Sequence, residues 1–501
     1  MPPPPFIPVF LFCFILASSL SSATATAKPT PLLFPIKKDA STNQCYTTLQ
    51  LGTPPTAMND VEIDCREPTS PTIASPPFIP LFLFGFILAF ATATAIPAPL
   101  VFPVKKDNST NRYYVTLQLG TPPTAMNAVL DLRGQFTWLN CSGYKSSSFR
   151  HVPCNSSRCD VPGGGGCINC SYGPSGTTCT NSTCGVILAT PSSDLMTSTG
   201  LGEDVLVLQY PKGIKHPSRS KFQQFPFTCA ESFWAENLPE SAQGMVALAR
   251  YLSSLAARLP SQLNLARIFA LCLPSSSSSS SISGHGDLYV GGRPYTRPSI
   301  KQDLAKLLHR TQLLISPGSI APVSSEGDGY TINVTAIKVN FAQVTFNSSV
   351  LQIDKDGFGG ATINPLNPYM LLHSEIFTPL VKEFTKEAKD RKIKKATPVA
   401  PFGVCFNAKT VKSGLAGPDM PTIVLVLRGA VQWRIEGANS MVRVNKDVMC
   451  LGFLDGGSYG MGAMVIGGHQ IEDNLVEFDV GLSTFGFGNS LLLQNSSCSH
   501  F

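Results

Sequence analysis

Two short stretches far apart in the chain constrain the fold most: Val129–Leu139 and Ala361–Leu372. Each reads as an apolar strand that enters a tight turn and leaves through an aromatic, apolar strand. Asp131 stands at the first turn and Asn364 at the equivalent place in the second. A strand–turn–strand unit used twice predicts two lobes related by a pseudo-two-fold axis, with the two turns meeting between them.

The rest of the chain agrees with an all-β reading. Its 501 residues are 43% hydrophobic, enough for a large core, and carry 41 Gly and 41 Pro against only 14% charged residues. That balance favours many short strands joined by turns, with a few short helices. The net charge of +6 is mild, and its densest run, Lys392–Lys395, follows an amphipathic segment. Such a run is a solvated helix end or a contact for an acidic partner. Nothing else points to nucleic acid, and no motif calls for a cofactor.

Fifteen cysteines point to an oxidising compartment. Cys13, Cys45 and Cys65 lie in an unusual N-terminal region; the other twelve form an even set. Seven crowd together as Cys141, Cys154, Cys159, Cys167, Cys170, Cys179 and Cys184, followed by Cys229, Cys272, Cys405, Cys450 and Cys498. Cys167 and Cys170 have the spacing of half a zinc site, but no matching pair follows, so six disulfides and no metal are expected. Eight Asn-x-Ser/Thr triplets begin at Asn108, Asn140, Asn155, Asn169, Asn181, Asn333, Asn347 and Asn495, which fits a secreted glycoprotein.

The first hundred residues contain a repeat. The apolar run Phe6–Ala17 recurs as Phe78–Ala89, and each copy continues to a Leu-Gly-Thr-Pro-Pro-Thr-Ala-Met-Asn element, ending at Asn59 and at Asn127. A dozen apolar residues followed by small ones is a signal-peptide pattern, too short for a comfortable membrane span. Residues 1–95 are therefore read as a duplicated presequence or an imperfect gene model, with maturation near Ala91–Ala95. The alternative keeps Phe78–Phe90 as a membrane-proximal anchor.

From Tyr113 the chain alternates as a strand, turns at Thr121–Pro123, and delivers Asp131. The cysteine-rich stretch with Gly163–Gly166 is expected to be loop held by disulfides, and Thr190–Gly200 falls where a flap hairpin would cover a cleft. A helical run over Leu252–Leu265 and strands at Arg267–Leu273 and Gly286–Gly292 follow. In the second half, Ser374–Arg391 carries Ile376, Phe377, Leu380, Val381, Phe384 and Ala388 at helical spacing, with Ser374 as N-cap. Strands are expected at Thr422–Leu427, Gln432–Ile435, Met441–Val444, Val448–Phe453, Met464–Gly468 and Leu475–Val480. The lobes divide as 97–265 and 266–501, or nearer 325.

Tyr114–Pro123, Pro226–Ala230, Leu259–Leu263, Gly286–Gly292, Val399–Cys405, Gly437–Met441 and Val465–Phe487 resemble a plant family with the pepsin fold: basic 7S globulins, extracellular dermal glycoproteins and TAXI-type xylanase inhibitors. The resemblance covers roughly 97–501. It implies an extracellular protein of the apoplast, cell wall or seed that has lost proteolysis and binds a protein partner. That partner is a secreted glycoside hydrolase or a small cysteine-rich peptide. In inhibitors of this kind two loops enter the target's cleft, and the corresponding positions here are Lys394 and Lys395, then Gln494 and Asn495. The first pair keeps its cations; the second is neutral.

A pepsin-like protease needs Asp-Thr/Ser-Gly at both turns, with two carboxyls sharing one proton. Asp131-Leu132-Arg133-Gly134 lacks the hydroxyl, and Asn364-Pro365-Leu366-Asn367 lacks the whole triplet. Arg133 is expected to lower the pKa of Asp131, and Asp354 and Asp356 precede the turn too closely to replace Asn364. Gly456–Gly460 satisfies Gly-x-Ser-x-Gly around Ser458, yet its setting of strand, glycine loop and strand is wrong for a nucleophile elbow. The expected function is non-catalytic: inhibition of a microbial glycoside hydrolase. Storage or peptide binding, and residual aspartic endopeptidase activity, are the alternatives.

Overall fold

A computed structural model describes residues 37–38, 45–50 and 58–63, and then 98–161, 164–168, 182–190, 193–210, 220–275, 284–296, 302–314, 329–353, 359–458 and 462–499. The chain divides into two compact units, Met1–Ala89 and Phe90–Phe501. In the first, the strands Lys37–Lys38, Cys45–Gln50 and Met58–Ile63 form an antiparallel meander. The second copy of the repeat forms the same meander from Leu100–Lys106, Tyr113–Leu119 and Thr124–Asp131. Lys37 faces Tyr46 as Lys105 faces Tyr114, but the second hairpin slips by one residue: Leu49 faces Asn59, whereas Leu117 faces Met126. Both apolar runs and the expected cleavage zone lie outside the described residues.

The second unit is a mainly β, bilobal structure. Alternation makes its strands: Tyr113, Val115, Leu117 and Leu119 are buried while the residues between them are half-exposed. A run of six antiparallel strands within a larger, closed sheet system joins the two halves. Its order is His309–Leu314, Thr484–Phe487, Leu475–Asp479, Ile268–Cys272, Gly286–Val290 and Leu100–Lys106. Phe269, Tyr330, Phe478 and Phe485 stack through its middle, with Phe269 and Phe478 parallel at 4.6 Å. Two ion pairs anchor its ends. Glu477, fully buried, takes Arg293 through both oxygens and the Tyr295 hydroxyl at 2.9 Å. Lys106 meets Glu472 at 2.5 Å, where Glu472 also accepts from Tyr113 at 2.7 Å and pairs with His469 Nδ1 at 2.9 Å.

Among the described residues, two α-helices longer than one turn flank the sheets, besides the single turn Gly437–Ser440. The first, α1, spans Leu255–Leu263, and Ser254 caps it by accepting from the amide of Ala257. The second, α2, spans Ser374–Asp390 and buries Ile376, Leu380, Phe384 and Ala388, one residue per turn. Each of the larger three contributes about 1.5–3 kcal/mol by leaving water. The cap of α2 is His373, not Ser374. The His373 ring accepts from the amide of Glu375, whereas the Ser374 hydroxyl donates to Asp455 at 2.6 Å.

Five disulfides are formed among the described residues: Cys141–Cys229, Cys154–Cys167, Cys159–Cys184, Cys272–Cys498 and Cys405–Cys450. Cys170 and Cys179 lie outside the described residues, so the expected sixth is not among these. Because Cys167 is bonded to Cys154, it is no metal ligand. The cysteine-rich stretch is more ordered than expected for a loop. Gly164–Ile168 is an edge strand along Thr183–Thr190, and Phe136, Val152, Cys159, Cys184, Val186 and Leu201 form a small core beneath it. Backbone pairing makes the strand, which is why a glycine run with no side-chain pattern concealed it.

Candidate functional site

The two turns are built alike. Thr124–Asp131 runs parallel to Gly244–Ala247, which lies antiparallel to Trp138–Asn140; that strand in turn is parallel to Lys221–Ala230. Ala361–Ile363 runs parallel to Met464–Ile466, which lies antiparallel to Met370–Leu372, itself parallel to Phe453–Asp455. This repetition is the expected pseudo-two-fold, with Asp131 and Asn364 in matching places. Both are buried, at 3% and 4% exposure. Asp131 Oδ1 accepts from the amide of Arg133 at 2.9 Å, and Asn364 Oδ1 accepts from the amide of Leu366 at 3.1 Å.

The turns also touch. Leu366, two residues after Asn364, packs in one cluster with Val129, Trp138 and Met245 from the first half. Tyr330 donates its hydroxyl to the carbonyl of Leu248 at 2.7 Å. Close approach to the Asp131 carboxylate requires glycine at position 134. A Cβ on Gly134 would stand 2.6 Å from Asp131 Oδ2, so the carboxylate occupies the space that a side chain would take.

Burial pushes the Asp131 carboxyl above its ordinary value, although the Arg133 amide, the Arg133 charge and the Gly134 amide all pull it down. Arg133 acts in the expected direction, but loss of hydration outweighs it. The site therefore offers one buried carboxyl that protonates readily beside an amide that has no proton to exchange. Such a pair can hydrogen-bond water or a peptide group, but it has one carboxyl where proton sharing requires two.

The flap hairpin forms from Thr183–Thr190 and Ser193–Val207, with Ala189 opposite Met196; its tip, residues 191–192, is outside the described residues. Leu188 of its first strand joins the cluster around Trp138. The buried Trp138 Nε1 has no partner among the described protein groups, a feature the sequence reading did not single out.

The other candidate residues are spread around the surface. Lys394 and Lys395 are both exposed; Lys395 begins a short edge strand, Lys395–Ala396, which pairs with Cys405–Asn407 and so is braced by Cys405–Cys450, and Lys394 directly precedes it. Lys394 is fixed through its backbone, its amide donating to Thr410 Oγ1 at 3.1 Å and its carbonyl accepting from Asn407. Gln494 and Asn495 are also exposed, at the end of a 3-10 turn whose Leu491 packs near Cys272–Cys498. The structure thus places the two pairs on different clusters. Among the sequons, Asn108, Asn155, Asn347 and Asn495 are exposed, Asn140 and Asn333 are half-buried, and Asn169 and Asn181 lie outside the described residues, as do Asp354 and Asp356. Ser458 follows Phe453–Asp455, residues 459–461 lie outside the described residues, and Phe453–Asp455 and Met464–Ile466 both pair with Met370–Leu372.

The family models for the xylanase inhibitor N-terminal and C-terminal regions match residues 113–292 and 329–489. A protein named probable aspartic proteinase GIP2, from Nicotiana benthamiana, is 37% identical over 412 residues, 81% of this chain and 92% of its own. The chain belongs to the xylanase-inhibitor family. Among solved structures of its relatives, that titled edgp superposes with a TM-score of 0.75 at 38% identity, covering 80% of this chain and 97% of the other. Conglutin gamma, a basic 7S globulin from lupine seeds, gives 0.68 at 31% identity, covering 80% and 98%. An aspartic proteinase from Irpex lacteus gives 0.50 at 13% identity over 80% of this chain and 100% of its own, which identifies the fold as pepsin-like. No helix of the described residues is long and apolar enough to cross a membrane.

Proposed function

We propose that this chain is a secreted, non-catalytic pepsin-fold protein that inhibits a microbial glycoside hydrolase, a xylanase or a xyloglucan-specific endoglucanase. The observation that carries the reading is the exposed Lys394–Lys395 pair at the start of a disulfide-braced strand. Two exposed cations on a braced backbone suit a cleft whose catalytic groups are carboxylates, as glycoside hydrolase clefts are. Asn364 in the place of the second carboxyl supports the absence of proteolysis. Gln494 and Asn495 add hydrogen bonding without charge, so the Lys394–Lys395 pair supplies the electrostatic part of recognition. The five disulfides and the exposed sequons support secretion into an oxidising compartment.

The test is inhibition of a panel of fungal xylanases and endoglucanases by the secreted protein, with casein digestion measured alongside. Inhibition that weakens when Lys394 and Lys395 are both replaced by Ala supports the proposal. Absence of inhibition across the panel, with casein intact, would leave a storage or peptide-binding protein. Casein digestion blocked by pepstatin would show that Asn364 does not abolish proteolysis.

A further inference from the structure

None of the residues that line the cavity beside α2 belongs to the Asp131 and Asn364 turns or to the Lys395–Ala396 strand. The hairpin of Val334–Val339 and Ala342–Gln343 turns through Asn340, left-handed at φ 53°, and Phe341. Beside it opens a cavity of about 630 Å³ lined by Asn340, Phe341, Glu387, Arg391, Thr422 and Arg434. That volume is within the roughly 300–1,000 Å³ of small-molecule sites. Phe341 is 98% exposed. A ring wholly in water adds nothing to the core, so packing does not account for it.

The polar lining is already wired together. Asn340 Oδ1 accepts from the amide of Thr422 at 3.0 Å and from Arg391 Nη2 at 3.1 Å, and its Nδ2 donates to Glu387 Oε2 at 2.5 Å. Arg391 Nη1 binds Asp419 at 2.9 Å, and Arg434 Nε binds Glu436 at 2.8 Å. Two guanidiniums thus face three carboxylates, Glu387, Asp419 and Glu436. The charge cancels with a slight negative excess, so a free anion gains nothing here. An apolar ligand would strip water from the N–H groups and carboxylate lone pairs that these bonds leave open. What remains is a neutral ligand with an apolar face and a rim of hydroxyls.

We propose that this cavity binds a neutral sugar ring. Phe341 supplies the face against which the ring's C–H groups stack, while Arg391, Arg434 and Glu387 exchange hydrogen bonds with its hydroxyls. Each guanidinium has five N–H groups; the bonds named above use two of Arg391 and one of Arg434, whose Nη2 also donates to Thr422 Oγ1 at 3.4 Å. The site is independent of the inhibitory reading, and its occupant is a carbohydrate rather than an enzyme.

The test uses the full-length secreted protein in saturation-transfer NMR and calorimetry with neutral β-linked tetramers of glucose and of xylose. A galacturonate tetramer serves as the charged probe. The expected result is binding of a neutral tetramer on the order of 1 mM or tighter, little changed between about 0.05 and 0.5 M salt. Phe341→Ala and Arg434→Ala should each weaken it about tenfold or more, while replacing both Lys394 and Lys395 by Ala leaves it unchanged. Because Phe341 touches so little of the fold, its Ala variant should melt like the parent, which separates loss of the site from loss of structure. No signal from either neutral tetramer at about 10 mM, well above that affinity, would overturn the proposal. So would unaltered binding in the Phe341 variant, or tighter binding of the galacturonate tetramer.

Discussion

Asp131 and Asn364 make the same hydrogen bond: each side-chain Oδ1 accepts from the backbone amide two residues on, at 2.9 and 3.1 Å. The second turn keeps this geometry with an amide, since an amide oxygen fills the acceptor role as a carboxylate oxygen does. Only one of the pair titrates, and its folded pKa is raised. A raised carboxyl stabilises the fold fully below its unfolded value near 3.8 and loses that contribution as pH rises through the folded value. Asp131→Asn should therefore melt higher than the parent at pH 7, with the difference vanishing below about pH 4. Thermal melts over that range check it; a variant less stable at pH 7 would contradict it.

Gly134 is held to its identity by the same carboxylate. Gly134→Ala places a Cβ 2.6 Å from Asp131 Oδ2 and should cost about 1–3 kcal/mol, the range for overpacking. In an Asp131→Ala background the cost should largely disappear. A double-mutant cycle measures this directly, and additive effects would show that the strain lies elsewhere.

Glu472 behaves in the opposite way to Asp131. Burial pushes its carboxyl up, but Lys106 and His469 together outweigh that and hold it at about 2, against an ordinary value of 4.5. The pair therefore stabilises the fold above pH 4.5, and the contribution is lost as pH falls toward 2. Lys106→Met leaves a buried carboxylate without its main partner and should destabilise by about 3–5 kcal/mol at neutral pH. Denaturant unfolding of parent and variant at pH 7 and pH 3 would show the gap narrowing in acid.

Cys272–Cys498 closes a span of 226 residues. Replacing both cysteines by Ser should lower stability by about 2–5 kcal/mol, whereas Gln494→Ala, on the exposed end of the neighbouring turn, should change it by less than about 0.5 kcal/mol.

For the inhibitory surface, Lys394 and Lys395 should be unequal to a generic pair of surface lysines. Exposed ion pairs contribute about 0.2–1 kcal/mol, but truncating a charge that is desolvated against a cleft costs about 2–5 kcal/mol. Double Ala replacement should raise the inhibition constant by about thirtyfold or more. Replacing Lys409 and Lys412, on the neighbouring segment, should change it less than threefold.

What was legible in the sequence was periodicity. The alternation at Tyr113–Leu119 and the spacing of Ile376, Leu380, Phe384 and Ala388 gave a strand and a helix that the structure contains. The paired turns at Asp131 and Asn364 could also be read directly, because tight turns restrict which residues fit them. What escaped depends on neighbours distant in sequence. His373 replaces Ser374 as the cap because Asp455, eighty-one residues away, takes the serine hydroxyl. The direction of the Asp131 shift depends on how completely both halves exclude water, which the adjacent Arg133 does not reveal. The Phe341 cavity is assembled from a hairpin, a helix end and two further strands.

The run of six strands also constrains the order in which this molecule is made. Ile268–Cys272, near the middle of the chain, is flanked by Gly286–Val290 on one side and by Leu475–Asp479 on the other. While the protein is being synthesised, that second side stays open until Leu475–Asp479, some two hundred residues later, leaves the ribosome. Domains otherwise fold as they emerge, and an uncovered strand edge invites pairing with other chains. The nascent first half is thus an incomplete object, with one edge of Ile268–Cys272 open until Leu475–Asp479 arrives to cover it.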